Sequence, residues 1–238
     1  MHKLLRIICK CRFFFVTLWR NIVLASGTRT QKHMKVLLIN GSARRNGNTF
    51  LALSEIGKQL EKNGIEHEIV QIGLKPTRGC IACLQCRQNA GTNRCAFDDD
   101  MCNRINEKMA SCDALIIGSP VYYGQPNGSL LALTQRMFYS GGALYKGKPA
   151  AAVAVCRRGG ATAALQTMNM PFQLMNMPIV PSQYWNIVYG RDAGEAALDT
   201  EGMQTMRTLA DNMAWLLNNT QNATLPERET PQPMNFIR

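Results

Sequence analysis

An α/β fold with a parallel sheet covered on both faces is predicted from three features of the chain. Short apolar runs alternate with stretches of helical periodicity. The runs are nearly continuous rather than alternating, as strands buried on both faces must be. Polar, glycine-bearing loops follow the carboxyl ends of several runs, where ligands of such sheets bind. The 238 residues are 46% hydrophobic and 18% charged, enough apolar material for one substantial core.

The elements follow in order. Lys35–Asn40, "KVLLIN", is a β-branched apolar run and reads as the first buried strand. Thr49–Asn63 places Leu51, Ile56 and Leu60 near helical spacing, and Asn63-Gly64 stops it. Glu66–Ile72 reads as a second strand. Residues 73–97 form a long loop holding Cys80, Cys83, Cys86 and Cys95. Asp98–Asp100 suit the opening of a helix, where carboxylates meet free amides. Ala114–Gly118 is a third strand, and Ser129–Tyr139 a helix after the loop "SPVYYGQPNG". Ala150–Cys156 is a fourth strand, followed by "RRGG" and a helix over Ala161–Met175. Ile179–Pro181 is taken as a short fifth strand and Glu195–Asn218 as the last helix. Residues 221–238 read as a loose tail.

Charge separates the chain into parts. The formal net charge is +11, but Lys3, Arg6, Lys10, Arg12, Arg20, Arg29 and Lys32 put seven positive charges and no acid into residues 1–33, leaving +4 for the rest. The excess therefore belongs to an extension, and no nucleic-acid-binding signature accompanies it. Arg12 and Arg20 bracket seven residues, too few to span a bilayer. Signal-peptide and mitochondrial readings of the extension compete with a plainer one, in which translation starts at Met34 and residues 1–33 are not part of the native chain. Residues 34–220 then form the domain. Cys80, Cys83 and Cys86 cluster three residues apart, in a loop that holds four of the nine cysteines, instead of spreading as a disulfide framework, which fits a reducing, cytoplasmic compartment.

Three loops share the carboxyl edge: Gly41–Asn48, Ser119–Gly128 and Arg157–Gly160. The first joins a strand to a helix start, whose unpaired amides and dipole favour an anion. Ser42, Asn48 and Thr49 supply donors, and Arg44 or Arg45 supplies charge. The loop is neither GxGxxG nor GxxxxGK[ST], so dinucleotide and nucleoside-triphosphate fingerprints are disfavoured. An ordinary capped polar turn would use the same residues.

With "GSARRNGNT", "GCIACLQC", "DDM", "GSPVYYGQPNGSL" and "YWNIVYG" in this order, the chain resembles the flavodoxin-like NAD(P)H-dependent FMN reductases, including the iron–sulfur flavoproteins. The match runs from about Lys35 to Gly190. The resemblance implies a three-layer sandwich with a five-stranded parallel sheet, order 2-1-3-4-5. It implies FMN held at its phosphate by Ser42, Arg44, Asn46, Asn48 and Thr49. Pro120, Val121, Tyr122, Tyr123 and Gly124 would hold the ring, with Arg157, Gly159 and Gly160 on its other side. Trp185 and Asn186 could complete the pocket, in the same subunit or another. NADH or NADPH would donate, and a quinone, a nitro or azo compound, free flavin or a protein would accept. A homodimer or higher homo-oligomer is implied.

The cysteines leave alternatives open. A C-x2-C-x2-C run leans toward iron–sulfur over zinc chemistry, and the iron–sulfur branch of the family implies a [4Fe-4S] cluster on Cys80, Cys83, Cys86 and Cys95, fed by ferredoxin. The gap from Cys86 to Cys95 is longer than that branch commonly has. Free thiols at the flavin entrance fit the same residues. Cys102, Cys112 and Cys156 fall on helix or strand patterns and are expected to be buried. A flavin-binding carrier or regulator without turnover is the remaining alternative.

Overall fold

The computed structural model describes residues 33–221, 223–230 and 232. Residues 1–32, with the leader and start-site readings attached to them, lie outside the described residues. The unit Met34–Arg238 carries all the elements below.

β1 (Lys35–Asn40) is buried along almost its whole length. It pairs in parallel with β2 (Glu66–Gln71) on one side and β3 (Ala114–Tyr122) on the other. β3 pairs in parallel with β5 (Ala150–Cys156), and β5 with β6 (Ile187–Tyr189). The parallel order is β2-β1-β3-β5-β6, which is the 2-1-3-4-5 order once the short arm β4 (Gln125–Pro126) is set aside. β4 folds back antiparallel on the end of β3.

Alternate strand residues feed two cores. Leu37, Ile39, Leu115 and Ile117 face α3 (Cys102–Ala110), α4 (Gly128–Tyr145) and α5 (Ala161–Leu174). Val36, Leu38, Ala114 and Ile116 face α1 (Asn48–Lys62) and α6 (Thr200–Thr220). Period-two side chains on strands covered on both faces dictate this three-layer arrangement. A one-turn helix, α2 (Gln85–Gln88), lies within the cysteine loop.

The structure moves three boundaries. β3 does not end at Gly118 but runs to Tyr122. Tyr123 (φ 51°) and Gly124 (φ 76°) then form a two-residue hairpin into β4, the positive-φ pair such tight turns require. The fifth parallel strand is Ile187–Tyr189, not Ile179–Pro181. Ile179 makes one isolated bridge to Ala150, and the flanking Pro178 and Pro181 offer no N–H for a ladder. The last helix begins at Thr200, because Asp199 caps it by accepting from Gly202 N (2.9 Å). A 3-10 turn, Glu195–Leu198, precedes it. In the C-terminal segment, Leu225 lies against Gly147.

Among the described residues, no helix is long and apolar enough to cross a membrane. Cys102, Cys112 and Cys156 are buried.

Glu68 of β2 ties the sheet edge to α3: Lys108 Nζ lies 2.5 Å and Lys35 Nζ 3.2 Å from its carboxylate. The hydrogen bond from Lys108 leads in holding its pKa below the ordinary 4.5, against the opposing effect of burial. A lowered carboxylate pKa stabilises the fold above the unfolded value, and that stability is lost as pH falls through the folded value. Glu68→Gln should therefore cost up to about 1 kcal/mol at neutral pH and nothing at pH values well below 4. Urea unfolding at the two pH values checks this, and a pH-independent difference would contradict it.

Candidate active site

The first loop leaves β1 through Asn40, which is fully buried. Its side-chain amide donates to Gln71 Oε1 (2.6 Å) and Arg45 O (3.3 Å), and its Oδ1 accepts from Ser42 N (3.1 Å). Ser42 Oγ in turn accepts from Arg44 N at 3.0 Å. These local bonds curl the loop over the start of α1. Gly47 caps that helix with no side-chain hydrogen bond, and no acidic residue stands in its first turn. The N-terminus of α1 thus presents amides and a positive dipole end to the space above the sheet.

The second loop is tied to the first. Gly41 N donates to Gly118 O (2.7 Å), and Asn127 Nδ2 donates to Gly41 O (2.7 Å). Ser119 Oγ accepts from Asn127 N (2.9 Å), while Asn127 Oδ1 caps α4 at Ser129 N (3.0 Å). A Cβ on Gly41 would meet Gly118 O and Leu130 Cδ2, each at 2.7 Å. At the hairpin tip Tyr122 is half exposed and Tyr123 fully so. The third loop packs on this tip: a Cβ on Gly160 (φ +84°) would stand 2.7 Å from Gly124 Cα.

Between these loops lies an open cleft of about 650 Å³. Ser42, Arg44, Asn48, Thr49, Pro120, Val121, Tyr122 and Arg157, all predicted from sequence, line it. Gly47, Val155, Cys156, Gly190 and Arg191 line it as well. Among the described residues, the lining holds three arginines and no carboxylate, so the cleft is anion-receptive. Gly159 and Gly160 instead line an adjoining pocket of about 750 Å³ with Tyr184, Trp185 and Tyr189. Asn46, Tyr123 and Gly124 line neither. Asn186 is buried, with its Oδ1 unpartnered.

Asn48 sits in the cleft wall, yet its side chain is engaged elsewhere. It donates to Asp192 O (2.9 Å) and accepts from Gly194 N (3.1 Å) and Ala196 N (3.2 Å). It splices the start of α1 to the turn after β6. Arg191 and Gly190 were invisible from sequence because that turn follows a strand placed eight residues too early.

The cysteine loop lies over α3 and α4. Cys80, Cys83, Cys86 and Cys95 all line one small cavity with Phe97, Arg136 and Tyr139. Among the described residues, no three His, Cys, Asp or Glu side chains are arranged to hold a metal ion. Burial, then the neighbouring Cys95, pushes the Cys86 thiol up. Burial pushes Cys102 up to about 12. The three acids of the run Asp98–Asp100 part company. Asp100 is buried against Arg136 and accepts from Cys102 N at 3.0 Å, whereas Asp99 and Asp98 pair with Arg78 and Arg94 at the surface.

A parallel sheet of this order, with an anion-receptive cleft at its switch point, defines a flavodoxin-like protein. The profile of the NADPH-dependent FMN reductase family matches residues 34–192, and the chain belongs to that family. It is an FMN-binding oxidoreductase of this kind. An iron-sulfur flavoprotein of Methanocaldococcus jannaschii is 32% identical over 76% of this chain and 96% of its own length. One of Methanosarcina thermophila is 30% identical over 77% of this chain and 95% of its own. Among solved structures, RosB with a bound flavin-derived intermediate superposes with a TM-score of 0.63 at 15% identity, covering 86% of this chain and 92% of that one. At that identity the likeness establishes the fold.

The contact between the second and third loops is directly testable. Gly160→Ala should cost about 1–3 kcal/mol through its left-handed backbone and the encounter with Gly124, and should weaken flavin retention. Thermal unfolding and the flavin content after dialysis read both effects. An unchanged unfolding temperature would contradict the close approach.

Proposed function

We propose that this chain uses NADPH or NADH to reduce a small acceptor such as a quinone, a nitro or azo compound or free flavin, with the flavin phosphate seated at the start of α1. The observation that carries the reading is the cleft of three arginines without a carboxylate, set over a helix N-terminus with no side-chain cap. Ser42 and Thr49 supply hydroxyls and Arg44 supplies charge, while the Gly47–Thr49 backbone faces the anion. Arg157 and Arg191 flank the cleft. Asn48 acts here as a splice that holds the helix start in place. Pro120, Val121 and Tyr122 offer an apolar wall to a flat ring, and Arg157 at the start of the third loop lines the same cleft. Bound FMN supplies hydride acceptance and return, so no acid–base side chain is required of the protein. Exposed Tyr122 and Tyr123 at the hairpin tip, and exposed Tyr184 and Trp185 in the adjoining pocket, support a homo-oligomer in which a second copy helps to enclose the site.

A second reading is supported by the four cysteines that line one cavity and by relatives named iron-sulfur flavoproteins. It places a [4Fe-4S] cluster on Cys80, Cys83, Cys86 and Cys95, with ferredoxin as electron donor. Iron and sulfide analysis of anaerobically purified protein separates the readings. Stoichiometric iron and sulfide favour the second, and a flavin-only holoprotein bleached by NADPH or NADH favours the first. Bound FMN that neither nucleotide bleaches would point to a flavin carrier.

Arg44→Ala tests the phosphate seat. Loss of a charge-assisted hydrogen bond worth about 1.5–3 kcal/mol should weaken FMN binding roughly 10- to 100-fold, read by quenching of flavin fluorescence on titration. An unchanged Kd would remove Arg44 from the seat.

A further inference from the structure

Arg136 is the one charged residue of α4, and it is 2% exposed. It does not touch the flavin cleft. Its guanidinium spends its N–H groups on the cysteine loop: Nε donates to Cys95 Sγ (3.3 Å), Nη2 to Phe97 O (2.9 Å) and Nη1 to Arg78 O (3.5 Å). Nη1 also pairs with buried Asp100. The preceding residue, Gln135, accepts from Cys80 N at 3.4 Å. Two consecutive residues of one helix therefore grip the loop near both of its ends, just outside Cys80 and just around Cys95.

A buried charge costs several kcal/mol unless it is paired and hydrogen-bonded throughout, so this arrangement is a built device. Asp100 neutralises the guanidinium. The remaining donors go to two carbonyls and one sulfur. A planar fork can meet such spread acceptors at once, and a lysine ammonium cannot.

We infer that Arg136 is a positioning residue that anchors Cys95 into the cavity shared with Cys80, Cys83 and Cys86, so that the loop's thiols act as one site. The inference rests on the cysteine loop alone and holds for free thiols and for ligands alike. Its failure leaves the flavin reading intact.

The experiment is site-resolved alkylation of the reduced, flavin-loaded full-length protein with iodoacetamide, followed by mass spectrometry. Exposed Cys80 and Cys83 serve as fast references, and buried Cys102 and Cys112 as reporters of the fold. Arg136→Lys keeps the charge but loses the fork. It should raise the Cys95 labelling rate at least about tenfold, the equivalent of one lost hydrogen bond to a charged group, while Cys102 and Cys112 stay protected. Because Arg136→Lys loses part of the pairing to Asp100, the double variant Arg136→Met with Asp100→Leu removes both charges and preserves an apolar fill. It should release Cys95 in the same way. Continued protection of Cys95 in both variants would overturn the inference. So would simultaneous labelling of Cys102 and Cys112, which would make Arg136 a support of the whole fold.

Discussion

The close approach of the chain leaving β1 to Gly118, in the middle of β3, is the constraint on which the site depends. The first loop must leave the sheet alongside the continuing β3, and Gly41 passes within hydrogen-bonding distance of Gly118. A side chain at Gly41 would strike Gly118 O and Leu130. With that gap closed, the first loop can turn over α1 and the second can extend β3 to its hairpin. Asn127 then uses one amide to fasten both, with Nδ2 on Gly41 O and Oδ1 on the start of α4. A partly buried amide with both its groups engaged fixes one geometry and penalises others.

Asparagine recurs wherever the site needs a joint. Asn40 shapes the first loop, Asn48 splices α1 to the turn after β6, and Asn103 gathers the carbonyls of Cys95 and Phe97. An amide carries donor and acceptor together and needs no counter-ion, so it can be buried among backbone groups at little cost. At the two sites charge takes two forms: the arginines of the cleft, with no carboxylate among its lining residues, and buried Arg136, which is matched by Asp100.

What could be read from sequence were features carried by local pattern. β1, β5 and the Asn63-Gly64 stop follow from apolar runs and a turn pair, and the parallel order follows from family resemblance. The loops at the carboxyl edge were legible because the topology places them there. The extension of β3 was not, because Pro120 and the Tyr123-Gly124 pair look like loop until the hairpin register joins Tyr122 to Gln125. β6 is three residues long and lacks periodicity. The engagement of Asn48 depends on residues about 145 positions away, beyond any local signal. Arg136 did carry a signal: a positive charge beside Leu133 and Met137 in an apolar stripe, in a chain with an acidic run that could supply its partner.

α4 also works as a ruler. It starts where Asn127 fastens the second loop to the first, and eight residues further on, about 12 Å along its axis, Arg136 holds the cysteine cavity. The interval between the two is set by helical rise, so it does not vary with the length or composition of the cysteine loop. Orientation is fixed in the same way, because each residue inserted or deleted between Gly128 and Gln135 would turn Arg136 by about 100° away from Cys95. Evolution is therefore free to lengthen or re-space the cysteines, but this stretch of helix can change its letters and not its count.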